Sequence, residues 1–138
     1  MDRMLEGRTA LVTGSVQGIG LAIAEALASA GVRIAVHGLA TPEEAAAAEA
    51  RVRDAGAPET RFFDADMRDP DAIGAMMADV EAWGGVDILA NNAGIQRTVS
   101  LADATRDIWD AVLAVNLSGT FHTMRAAMPR MAEAATGG

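Results

Sequence analysis

Short apolar runs alternate along this chain with longer stretches in which apolar residues recur every three or four positions. "TALVT" (9–13), "VRIAV" (32–36), "TRFFDAD" (60–66) and "VDILA" (86–90) are short, mostly apolar and bounded by turn residues or charge. That pattern predicts four strands. The stretches between them carry helical periodicity. Residues 18–31 place Ile19, Ile23, Ala26, Leu27 and Ala30 on one face and stop at Gly31. Residues 41–56 open with Thr41, Pro42 and Glu44, the grammar of a capping box with proline in the first turn. Residues 69–85 repeat it with Asp69 and Pro70, and Ile73, Met76, Met77, Val80 and Trp83 form the expected buried stripe. A last long helix is predicted from about Thr105 to about Ala135.

Strand and helix thus alternate four times with short connections, and no linker, repeat or low-complexity segment interrupts them. The expected fold class is α/β: a Rossmann-like, doubly wound parallel sheet of four strands in a single domain, with helices on both faces and right-handed crossovers.

Composition narrows the functions this fold could serve. The 138 residues are 51% apolar, enough for a real core, and carry 19 acidic against 11 basic residues, a formal charge of −8. That balance argues against nucleic acid or an anionic membrane as partner. There is no cysteine, and the two histidines, His37 and His122, are too far apart in sequence to read as a metal pair, so no metal site is expected. The first residues lack the long apolar run of a signal peptide, and no segment reaches the length of a membrane span, so a cytoplasmic location is expected.

Two segments carry candidate chemistry. "TGSVQGIG" (13–20) lies between the first strand and the first helix. Gly14 permits a sharp turn, while Gly18 and Gly20 keep side chains away from a helix N-terminus whose free N–H groups and dipole favour a pyrophosphate. The alternative is a glycine-rich turn that binds nothing. In the last helix, "AVLAVNLSGTF" (111–121) sets Asn116 among apolar residues, where its amide is expected to need hydrogen-bond partners. Those partners could belong to a site or only to a helix kink.

The G-x-x-x-G-x-G spacing at 14–20, followed by "NNAG" at 91–94 after the fourth strand, resembles the short-chain dehydrogenase/reductase family, from about Gly7 to the last residue. "DAD" at 64–66 is a third match, and places Asp66 where that family sets an acid against an adenine ring. The resemblance implies a nicotinamide cofactor lying along Gly14, Ser15, Gln17, Gly18, Ile19, Gly20, Asp66, Met67, Asn92, Ala93 and Gly94. It implies that Asn92 meets the nicotinamide-side ribose and that Asn91 ties strand ends together, while Thr13 and Asp87 are structural. Members preferring a 2′-phosphate carry a basic residue before the second glycine or after the second strand. Gln17 and "HGLA" (37–40) stand there instead, so NAD is expected rather than NADP.

Asn116 matches the family's helix asparagine, which holds a water that passes protons to a catalytic lysine and, through it, a tyrosine. Neither partner occurs here: the chain has no tyrosine, and all 11 basic residues are arginines. In the family those residues follow on a fifth strand and its helix, so the resemblance implies that this chain stops before the fifth strand and is inactive as it stands. "NNAGIQ" (91–96) and "WDAVLAVNLSGTFHTMRAAMPRM" (109–131) look most like the D-3-hydroxybutyrate dehydrogenase branch, where Gln96 would meet the substrate carboxylate. The "GIQ" also occurs in sugar-acid dehydrogenases of the family, which leaves the hydroxy or keto acid open. The alternatives are a catalytically silent NAD-binding module, a parent acting on a sugar acid or another 3-oxoacyl-type substrate, and an assembly fragment whose last helix pairs with another chain; a homo-oligomer built through that helix is expected in the complete relative.

Overall fold

The computed structural model describes residues 3–134. Four parallel strands, β1 (Thr9–Val12), β2 (Arg33–Gly38), β3 (Thr60–Asp64) and β4 (Ile88–Ala90), form one sheet in the order β3-β2-β1-β4. Helices α1 (Gly18–Ser29), α2 (Pro42–Asp54) and α3 (Pro70–Trp83) connect them. After β4 the chain forms α4 (Arg106–Leu113), a π-helical turn (Ala114–Gly119) and α5 (Thr120–Glu133). The alternation read from the sequence is therefore the fold.

Strand alternation builds two cores. Ala10, Val12, Ile34 and Val36 face α1 and α2, packing against Leu21, Ala24, Ala28 and Val52. Leu11, Ala35 and Phe63 face the other way, onto Ile73, Met76, Met77 and Val80 of α3, Val115, and Ala127 of α5. The caps fall where the sequence places them. Thr41 and Glu44 close a reciprocal capping box on α2, and the Asp69 side chain accepts from the N–H groups of Asp71 and Ala72 on α3.

Several expected boundaries and faces shift. β2 runs on through His37 to Gly38, because the polar His37 finds partners for its side chain as well as its main chain. β3 ends at Asp64 rather than at 66, where the chain turns through Asp66. β4 is only three residues long, and Val86 is buried without joining the ladder. The fully buried face of α1 is Gly20, Leu21, Ala24 and Ala28; of the expected stripe Ile23 and Leu27 pack half-buried beside it and Ala30 is half-buried, while Ala26 is exposed and Ile19 is 75% exposed. Gly20 turns inward because a Cβ there would meet the Gly14 carbonyl oxygen of the preceding loop. The expected stripe of α3 holds, with Trp83 half-buried at its end. The predicted last helix is not continuous: it widens at 114–119, and its expected end near 135 and the approach to a fifth strand lie outside the described residues.

Candidate cofactor site

The strand order reverses at β1, which has β2 on one side and β4 on the other. Loops leaving the two sides diverge at the strands' carboxyl ends, and that crevice is where open α/β sheets hold ligands. A cleft of about 700 Å³ opens there, lined by Gly14, Gln17, Gly18 and Ile19 from one loop, Asp66 and Met67 from a second, and Asn92, Ala93 and Gly94 from a third.

The glycines of the first loop do three separate jobs. Gly14 turns with φ +62°, and a Cβ there would lie 3.0 Å from Cα of Ala93. Gly20 permits contact: a Cβ would sit 2.0 Å from the Gly14 carbonyl oxygen and 2.5 Å from Nδ2 of Asn92. Gly18, at φ +60°, has nothing within 4 Å of its Cβ position and so leaves open space beside the first turn of α1. That turn has no side-chain cap on Gln17 and no acidic residue, whereas α2, α3 and α4 are each capped by Thr41, Asp69 and Thr105. Free N–H groups and the positive end of the helix dipole therefore face the cleft.

The turn after β4 is held to that loop by Thr13 and Asn92. The buried Thr13 Oγ1 accepts from the N–H groups of Asn92 and Ala93, each at 3.0 Å, and donates to the Ala90 carbonyl. Nδ2 of Asn92 donates to the carbonyls of Thr13 and Gly14. It is thus Asn92 that ties the strand ends. Asn91 points to the other side, where its Oδ1 accepts from Thr123 Oγ1 at 2.6 Å on α5. Asp87 accepts from the Thr9 N–H and pairs with Arg130, a structural position as expected.

Asp66 lines the crevice with its carboxylate clamped by Arg68, whose Nη2 lies 2.8 Å from Oδ2 and whose backbone N–H donates to Oδ1. Those bonds hold the Asp66 carboxyl below the usual carboxylate range. Arg68, Arg97, Val16, Ile95 and Val115 also line the cleft and were not evident from sequence spacing, since each depends on where a loop folds back.

Four expected site residues stand elsewhere. Ser15 is fully buried behind the loop, its Oγ accepting from the His37 N–H, because the tight turn at Gly14 aims it at β2. Gly20 packs under the loop rather than lining the cleft. Gln96 is exposed beside the cleft without lining it. Asn116 is exposed rather than set in an apolar face, because the helix turns its side chain toward the loop and not toward the sheet. Its amide is nonetheless fully directed: Oδ1 accepts from the Ile95 N–H at 2.8 Å and Nδ2 donates to the Ile95 carbonyl at 2.9 Å. The widened turn at 114–119 presents that amide edge-on to the loop. His122 is half-buried on α5. Among the described residues no cluster of three ligating side chains could hold a metal ion, and no helix is long and apolar enough to cross a membrane.

Comparison with known proteins follows the same geometry. The model of the short chain dehydrogenase family matches residues 8–138. A D-beta-hydroxybutyrate dehydrogenase of Cupriavidus necator is 46% identical over 130 residues, covering 93% of this chain and 49% of the relative. One of Rhizobium meliloti is 44% identical over 125 residues, covering 90% and 48%. Among solved structures, a 3-oxoacyl (acyl-carrier-protein) reductase of Agrobacterium tumefaciens C58 with NADP bound superposes with a TM-score of 0.88 at 38% identity, over 96% of this chain and 50% of its own. The chain spans about half the length of these relatives. Fold, glycine loop and sequence relatives agree: the chain belongs to the short-chain dehydrogenase family.

Proposed function

We propose that this chain is the cofactor-binding part of an NAD-dependent oxidoreductase whose whole-protein reaction interconverts 3-hydroxybutyrate and acetoacetate. The observation that carries the cofactor reading is the uncapped N-terminus of α1 opening beside Gly18 into the crevice between β1 and β4. A diphosphate fits there because the loop offers N–H donors and no side chain at residue 18. Asp66 and Met67 would flank the adenine, and Asn92 to Gly94 the nicotinamide ribose. Once bound, the nicotinamide gives or takes the hydride. The residues of this chain hold and orient it, and the Asn116–Ile95 pair fixes the loop on which Gln96 would meet a carboxylate.

NAD is favoured because β2 ends at Gly38 and is followed by Leu39 and Ala40 without a cation, while Arg68 is held by Asp66 and Arg97 Nη1 by the Gln96 carbonyl. The substrate class follows from relatives named for hydroxybutyrate at 44–46% identity. Proton transfer in the family falls to a tyrosine and a lysine, and these 138 residues contain neither. Calorimetric titration of the chain is expected to show saturable NADH binding about tenfold tighter than NADPH, a difference of about 1.4 kcal/mol. The same preparation should oxidise 3-hydroxybutyrate at least about 10²-fold more slowly than complete relatives, the usual loss when a positioned acid/base is missing. Tighter NADPH binding, or full turnover, would refute the corresponding half of the proposal.

The same reading includes self-association. Trp109, Leu117, Phe121, Met124 and Met128 leave an exposed apolar stripe along α4, the π turn and α5, larger than single scattered apolar residues explain. Sedimentation velocity at micromolar concentration should show a species larger than one chain. Leu117→Arg with Phe121→Glu should shift it to the monomer, and an unshifted profile would place the contact elsewhere.

A further inference from the structure

Among the described residues, His37 is the one buried histidine, and it sits where three parts of the cleft meet. The Gly14 N–H donates to its Nδ1 at 3.0 Å, and Nε2 lies 2.9 Å from the Ala65 carbonyl. Its main chain is bound as tightly to the same loop: the His37 N–H donates to Ser15 Oγ, and the Ser15 N–H donates to the His37 carbonyl. A backbone N–H can only donate, so Nδ1 must be bare and the proton must sit on Nε2, which then donates to Ala65. One tautomer of the neutral ring satisfies both neighbours. The imidazolium does not, since Nδ1–H would then face the Gly14 N–H.

Gly14 has little room to adapt. Its carbonyl accepts from Asn92 Nδ2, and that oxygen lies against the site where Gly20 lacks a Cβ. The Gly14 N–H shares its planar peptide unit with the Thr13 carbonyl, which also accepts from Asn92 Nδ2, so rotating that unit disturbs the loop and Asn92 together. On the other side, Nε2 meets the Ala65 carbonyl, one residue before Asp66, whose carboxylate is held by Arg68.

We propose that His37 is a positioning residue for the dinucleotide, its bare Nδ1 holding the Gly14 peptide as the loop requires, so that an imidazolium at 37 loosens the loop and weakens cofactor binding. This rests on the cofactor reading above. The charged groups around the ring come from β3 and the turn after it: Asp64, which favours protonation, and the Asp66–Arg68 pair in the same cleft. The loop from β1 presents only Thr13, Gly14, Ser15 and Val16, and the β4 turn only Asn91 and Asn92. Burial outweighs the Ala65 carbonyl and Asp64 and pushes His37 below the usual imidazole value of 6.5. In the unfolded chain the ring takes a proton first. Its contribution to stability is therefore complete above about pH 6.5 and declines as pH falls from there toward the lower folded value.

Two replacements separate the ring's two contacts. His37→Asn can place Oδ1 where Nδ1 stands, and His37→Gln can place its amide where Nε2 stands but offers Gly14 nothing. The measurements are NADH affinity and amide hydrogen exchange of Gly14 and Ser15 from pH 8 to pH 5, in the full chain carrying His122→Gln so that one histidine remains. With His37 present, affinity should fall about tenfold across the titration of the ring, and Gly14 exchange should quicken in step. His37→Asn should bind as well as its parent at pH 8 and lose that pH dependence in both readouts. His37→Gln should bind weakly, with rapid Gly14 exchange, at every pH. An acid limb retained in His37→Asn would overturn the inference, as would Gly14 exchange indifferent to the ring's charge while NADH binds normally. If no form binds NADH while Gly14 exchange still follows the ring, it is the cofactor reading that fails and the clasp on the loop that stands. Should His37→Gln not fold, the parent and His37→Asn profiles decide the matter.

Discussion

Gly20→Ala is expected to abolish measurable NADH binding and to destabilise the chain by about 3 kcal/mol or more, the upper end for overpacking. The methyl group would have to occupy a point 2.0 Å from the Gly14 carbonyl oxygen and 2.8 Å from its carbon. Both atoms are backbone, so no side-chain rotation relieves the clash. Either α1 lifts from the sheet, opening the core at Leu21, Ala24 and Ala28, or the Gly14 turn is pushed into the cleft. Gly18→Ala makes the contrasting case. Nothing surrounds its Cβ position, and only the left-handed φ of +60° opposes it, a cost of about 1–2 kcal/mol. That variant should fold, and bind more weakly because the methyl faces the free N–H groups of α1. Urea denaturation with calorimetric NADH titration separates the two, and a Gly20→Ala chain as stable as wild type would mean that α1 and the loop are not packed as described.

Thr13→Val is the second large effect, expected at about 1–3 kcal/mol with a parallel loss of NADH affinity, although the two side chains have nearly the same shape. The hydroxyl accepts two backbone N–H groups of the turn after β4, and valine leaves the Ala93 N–H without the acceptor that holds it. A part-buried donor left without its acceptor loses that hydrogen bond and part of its solvation. The Asn92 N–H also donates to the Ala90 carbonyl and suffers less. Urea unfolding should show a lower midpoint at unchanged slope, the mark of lost stability rather than an altered unfolded state. Thr13→Ser keeps the oxygen and should lie close to wild type. Equal stabilities for the valine and threonine chains would show that the turn holds itself.

The order of elements, the caps and the three loops of the cleft were legible because each rests on local sequence: period, capping residues and glycine spacing. What was not legible depends on distance between elements. The inward face of α1 follows from how closely it lies on the sheet, and that closeness is set by Gly14 against Gly20, not by where the large apolar residues fall. Asn92, and not Asn91, ties the strand ends because neighbouring residues leave a strand end on opposite sides, Asn91 toward α5 and Asn92 toward β1. Arg68 was not legible as a member of the site, and His37 was legible only as the neutral end of the second strand, because nothing in their own neighbourhood marks their contacts. His37 follows a run of strand residues like any edge of a strand, and only the fold brings Gly14 and Ala65 to its two nitrogens.

The widened turn at 114–119 also settles a matter of phase. An α-helix advances about 100° per residue, so in an unbroken helix Trp109 and Phe121, twelve positions apart, would point roughly 120° away from each other. A π turn absorbs about one residue, which brings them to within roughly 20° and carries Met128 onto the same line as Trp109. The two halves of the helix are written a step out of register, and the bulge works as a vernier that realigns them. A single solvent-facing apolar seam, from Trp109 to Met128, exists only because the backbone takes up that extra step at the turn that also carries Asn116.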